Sequence, residues 1–142
     1  MKINIGKYKN NRKVDIHIDG YDLWNMDHTL ALIIHPMLVM LKEGKQGSPD
    51  VDNEDVPEHL QSPEHNIMDP VTTVWGTDDV YHERWQYVLD EMIWAFGQII
   101  DKEVADSQFF NNGFDKDGYI EWSNRINNGT KLFGKYYQGL WT

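Results

Sequence analysis

The sequence predicts an α+β domain: an N-terminal β-hairpin packed on three main helices, with a long irregular acidic connection. Apolar residues alternate with period two in two short N-terminal runs. They recur at helical spacing in three later stretches. Four of the five prolines fall in one acidic stretch, residues 44–77, which separates the first helical stretch from the second. A chain of 142 residues is one domain, long enough to bury a proper core.

Residues 1–20 hold the hairpin. Residues 2–8 (KINIGKY) and 12–18 (RKVDIHI) alternate, and KNNR supplies the turn. Ile3, Ile5, Val14, Ile16 and Ile18 share one face, and His17 has the opposite parity and faces solvent. Residues 22–43 form the first helix, with Leu23, Met26, Leu30, Ile33, Ile34, Met37, Leu38 and Leu41 in helical register. Asp22 or Asn25 is placed to cap it. Pro36 lacks the N–H that would bond to Leu32, so the helix is expected to kink there or to split after His35. Residues 44–77 are expected to be irregular, with one short helical turn near Pro57 to Gln61. The second helix covers 78–104, with Tyr81, Trp85, Val88, Leu89, Met92, Ile93, Phe96 and Ile100 on one face and Thr77 or Asp78 as cap. After a polar link at 106–116, a third helix covers 117–140 through Tyr119, Ile126, Phe133, Tyr137 and Leu140. Gly129 and Gly134 weaken it but permit close approach of a backbone or a ligand.

Composition narrows the chemistry. With no Cys, the chain has no disulfide, zinc-thiolate site or thiol nucleophile. No apolar run approaches a membrane span, so a soluble protein without membrane contact is expected. The net charge of −10 is uneven: +5 over residues 1–14, −17 over 15–118 and +2 over 119–142. Such a chain is a poor coat for duplex DNA, where phosphate neutralisation dominates affinity. No P-loop, dinucleotide fingerprint or nucleophile elbow occurs, and serines are few.

The stretch NNGFDKDGYIEW (111–122) looks like half of a calcium loop but fails in both registers. With Asp115 and Asp117 at loop positions 3 and 5, position 1 is Gly113 and position 12 is Asn124. Starting at Asp115 puts Gly118 at position 4 and Ile126 at position 12. It reads instead as a polar turn whose acids lead into a helix N-terminus. No metal, cofactor or catalytic set is expected. His28 and His35 lie two turns apart, too far for one metal without another segment. Asp27, His28 and Glu91 remain a possible polar site, since Asp90 and Glu91 interrupt an apolar helix face.

The last helix carries the more suggestive face. Asn124, Asn128, Lys131 and Lys135 follow helical spacing, with Arg125 adjacent and Tyr136 nearby. Arg125, Lys131 and Lys135 are expected to contact phosphate, and Asn128 to read polar edges. Trp85 or Tyr136 is expected to stack, with Arg84 beside Trp85. The partner so implied is a small phosphorylated ligand of nucleotide type.

DLWNMDHTLALIIHPMLVMLKEGKQGSPDVDNEDVP, HERWQYVLDEMIWAF and NNGTKLFGKYYQGLW, with the VDIHID strand, resemble a group of uncharacterised proteins of tailed bacteriophages, especially marine myoviruses. The resemblance covers most of the chain and implies no known reaction. His28, Arg84-Trp85 and Asp90-Glu91 match its pattern, whereas His35 stands where the group carries an apolar residue. A phage origin implies an accessory protein in the cytoplasm of an infected bacterial host. The expectation is counter-defence: a homo-oligomer that binds a cyclic or NAD-derived nucleotide signal without cleaving it. The alternatives are an inhibitor that docks on a host protein through its acidic loop, a metal-assisted hydrolase of a nucleotide signal, and a virion component.

Overall fold

The computed structural model describes residues 1–62 and 78–141. Two antiparallel strands, β1 (Lys2–Ile5) and β2 (Val14–His17), precede four helices: α1 (Met26–Gly44), α2 (Tyr81–Ile100), α3 (Lys102–Ser107) and α4 (Lys116–Lys135). This is the α+β class expected. The proposed cap Thr77 and the second half of the acidic connection lie outside the described residues.

α2 is the central element because it packs against both α1 and α4. Its buried residues include Trp85, Val88, Leu89, Met92, Ala95 and Phe96. On one side α1 runs antiparallel to it: Lys42 pairs with Asp90, and the His35 ring lies against Gly97. On the other side α4 is also antiparallel, through Trp122 Nε1 donating to Gln98 (2.8 Å) and Trp85 meeting Tyr136 edge-on (5.9 Å). Gly129 makes that approach possible. A Cβ there would overlap Ala95 Cβ and reach 2.6 Å from the Glu91 carbonyl oxygen, so its close neighbour is backbone and not a ligand. Gly134 faces open space.

α1 runs unbroken through Pro36, so the split after His35 does not occur. Its capping residue is Asn25, without a side-chain cap bond. α2 begins later than expected, at Tyr81, and Asp78 acts just ahead of it by accepting from Val80 N (3.0 Å). The link at 106–116 is not simply polar. It closes α3 and makes a 3₁₀ turn, Gln108–Phe110.

The first half of the acidic connection is built into the core. Val51, Val56 and Leu60 are buried among the helices. Two 3₁₀ turns, Asn53–Asp55 and Glu58–Leu60, shape it, the second where a helical turn was expected. The Asn53 side chain closes it, donating to Ser62 O (2.8 Å) and accepting from Ser62 N (2.9 Å). The hairpin has the expected alternation, with Ile3 opposite Ile16 and Ile5 opposite Val14. All eight strand residues nevertheless remain exposed.

Candidate functional site

The cations expected to grip phosphate are held by carboxylates of the same chain. Arg125 lies on α4 one turn before Gly129, where the helices approach most closely. Its Nε and Nη2 donate to the two Glu91 oxygens (3.0 and 2.7 Å), and its guanidinium lies 3.9 Å over the Trp94 ring. The Glu91 hydrogen bonds raise the Arg125 pKa against the opposing pull of burial. Lys135, at the end of α4, meets Asp52 (2.7 Å), Glu54 (2.9 Å) and Asp55. Burial works against its charge, but those three bonds prevail and hold its pKa well above the ordinary lysine range. The three carboxylates converge within 4.8 Å, the spacing of a cation site, and the Lys135 ammonium is the cation they hold.

The stacking residues face inward. Trp85 is fully buried, and so presents no ring face to a ligand. Tyr136 is buried beside it; its hydroxyl donates to Asp55 (2.6 Å) and accepts from Asp52 N (3.0 Å). Burial, then the Asp55 bond, raises its pKa above the ordinary tyrosine range. Arg84 is also buried, with both terminal nitrogens on Asp78 (3.0 and 2.7 Å) and one on Leu60 O (3.2 Å). Asn128 and Lys131 alone of this set stand on the exposed side of α4 without a partner among the described residues. The structure therefore brings Trp85, Tyr136 and Lys135 together, with Trp85 and Tyr136 in the core and Lys135 at its edge on the Asp52, Glu54 and Asp55 carboxylates.

The second group is not assembled either. His28 lies seven residues before His35 on α1, and Glu91 six before Gly97 on α2. Because His35 sits level with Gly97 and the helices are antiparallel, His28 and Glu91 are about 20 Å apart along the axis. Asp27 is exposed, at the edge of a small cleft of about 240 Å³ that Lys102, Trp122 and Asn127 also line.

A different surface combines ring faces with hydrogen-bonding groups. Asp115 caps α4, its Oδ1 accepting from Gly118 N (3.0 Å), and its own N donates to Phe109 O (2.8 Å). Gly113 takes the left-handed conformation the turn needs, φ +91°. The 111–118 stretch is thus the turn into a helix that its failed calcium registers implied. Phe109, Tyr119 and Trp122 pack together beneath it, with ring centroids 5.5–5.8 Å apart. Above them Phe110 and Phe114 stack at 5.0 Å and 19°, both more than half exposed. Phe114, with Phe109, lines an open cleft of about 430 Å³ together with Gln108, Asn111, Asn112 and Asp115, and Phe110 reaches it only through its stack on Phe114. The run FFNNGFDKDGY carried this signal in sequence, as three phenylalanines among amides. No family model, curated protein or solved structure matches this chain.

Proposed function

We propose that the protein is a phage accessory protein that acts by binding: it holds a small flat ligand of nucleobase or nucleoside type, unaltered, at the joint between α3 and α4. The observation that carries this reading is the exposed, stacked Phe110–Phe114 pair beside the amide-lined cleft. A ring laid on an aromatic face gains about 1–3 kcal/mol. Asn and Gln side chains offer donors and acceptors together, which suits the edge of a base or a ribose hydroxyl. The cleft volume falls in the range of small-ligand sites. Among the described residues no lysine or arginine lines it, so the ligand is held by stacking and by its polar edge and not by a phosphate clamp. In an infected host cytoplasm, retention of a nucleotide-derived signal by its base would serve counter-defence.

The test is native mass spectrometry of the full chain with cyclic dinucleotides, cyclic oligonucleotides and cyclic ADP-ribose isomers, with assay of the recovered ligand. Retention of one intact ligand per chain is expected. Phe114→Ala should weaken it about tenfold or more, whereas Lys131→Ala should change it less than twofold. A consumed ligand would transfer the assignment to a hydrolase. No retention across the panel would overturn the reading and favour the protein-binding alternative.

A further inference from the structure

The α1 helix is apolar on two sides and covered on one. Ala31, Ile34, Leu38 and Leu41 face α2. Met26, Leu30, Ile33, Met37 and Met40 form a second seam, at the alternating four-three spacing of heptad core positions. Met26 (53 %), Leu30 (43 %), Met37 (65 %) and Met40 (72 %) are exposed along it. A helix apolar on both sides belongs in an interior.

The hairpin has the matching deficiency. Ile3, Ile5, Val14, Ile16 and Ile18 lie on one face and are 38–59 % exposed. An isolated two-stranded hairpin is marginal in water and needs something against its apolar face. Each strand is about 13 Å long and the seam about 21 Å, so one hairpin covers more than half of one seam.

Charge selects what covers what. Residues 1–14 carry +5, and the rest of the chain therefore −15, since −10 − 5 = −15. Lys2, Lys7, Lys9 and Lys13 make no ion pair among the described residues. Asp27 and Glu43 flank the α1 seam at the positions that choose partners in helix pairing. Two such seams facing each other would oppose acid to acid. A basic hairpin laid on an acid-flanked seam pairs opposite charges.

We propose that two copies of this chain form a dimer by reciprocal arm exchange, the apolar face of each hairpin lying on the outer α1 seam of the other copy. Its lysines then lie near Asp27 and Glu43 of that copy. The contact is closed and two-fold symmetric, because each copy offers one arm and one seam.

Light scattering after gel filtration and native mass spectrometry of the full chain test this. The wild type is expected to be a dimer at micromolar concentration. An arm variant (Ile5→Glu with Ile16→Glu) and a seam variant (Met37→Glu with Met40→Glu) are each expected to be monomeric, with dissociation constants raised about a hundredfold or more by burying charge in an apolar contact. All four positions are exposed within one chain, so helical circular dichroism and cooperative melting should persist. The decisive sample is the mixture. An arm variant keeps its seam and a seam variant keeps its arm, so the two together should form a heterodimer that neither forms alone. Lys7→Glu with Lys13→Glu leaves both apolar faces intact, provides the test if a double variant unfolds, and should weaken the dimer about tenfold. A monomeric wild type, a dimer indifferent to these variants, or a mixture without heterodimer would overturn the proposal. A monomer that bound anionic phosphatidylserine vesicles would assign the same face to lipid.

Discussion

Tyr136 and Lys135 show how partner groups remote in sequence decide what a residue does. Spacing placed Lys135 on a helix face with Asn128 and Lys131, which is where it starts. Its side chain turns to Asp52, Glu54 and Asp55, some eighty residues away. Nothing in a single sequence links those positions, and the same holds for Arg125 with Glu91. The Tyr136 pKa is raised in the folded state, so its protonated form is favoured there. Its contribution is complete below the unfolded tyrosine pKa near 10 and is lost as pH rises through the folded value. Lys135 has the same sign. We therefore expect thermal stability to fall above about pH 10, and Tyr136→Phe to flatten part of that fall while costing about 1–3 kcal/mol at neutral pH. Asp78 has the opposite sign: the Arg84 bonds lower its pKa. Its contribution is complete above the unfolded value near 4 and is lost as pH falls through the folded one. Asp78→Asn should remove that acid limb, and it should destabilise by about 3 kcal/mol because Arg84 stays buried with its charge unpaired. Denaturant melts of the three proteins across pH check both limbs.

At the scale of elements, periodicity was a good guide to what forms and a poor one to what each face meets. Period two placed the hairpin and the 3.6-residue pattern placed the three long helices, but only the helices bury their apolar side within the chain. α3 and the Gln108–Phe110 turn were hidden because six- and three-residue pieces are too short to show a period. The Phe110–Phe114 cleft left no period either, and its signal was composition, three phenylalanines among amides. Of the kink or split expected at Pro36, the split does not occur: α1 spans it, with apolar packing on α2 to offset one missing hydrogen bond. Gly129 was legible as a close approach, and the structure names its partner as the α2 backbone. Gly129→Ala should therefore destabilise the α2–α4 contact by about 1–3 kcal/mol despite better helix propensity. Ala95→Gly in the same chain should recover part of the loss, since Ala95 Cβ is one of the overlapped atoms, but not the part due to the Glu91 carbonyl. Gly134→Ala, with open space around it, should be neutral or stabilising by up to about 1 kcal/mol. Calorimetry of the variants separates these outcomes.

For the molecule as a whole, the acidic connection changes meaning. Read as sequence, residues 44–77 were an irregular acidic connection, and one alternative docked a host protein through its acids. In the fold, their described part is a strap across the three-helix core. Val51, Val56 and Leu60 are buried under it, its carboxylates hold Lys135, and its Leu60 carbonyl accepts from Arg84. Burying three such side chains is worth about 1.5–3 kcal/mol each, an upper figure. The sum is comparable with the 5–15 kcal/mol that keeps a domain of this size folded at all. Removing residues 50–62 should therefore abolish cooperative unfolding, so any binding lost with that deletion would report on folding rather than on docking. Glu58→Gln separates the two roles. Glu58 is exposed on the strap and makes no ion pair among the described residues, so neutralising it should change stability by no more than about 0.5 kcal/mol. A deletion that kept both its helical signal and a sharp thermal transition would show the strap to be dispensable. Its acids would then be surface charge on a tethered insert, and the three-helix core would have to be stable on its own contacts.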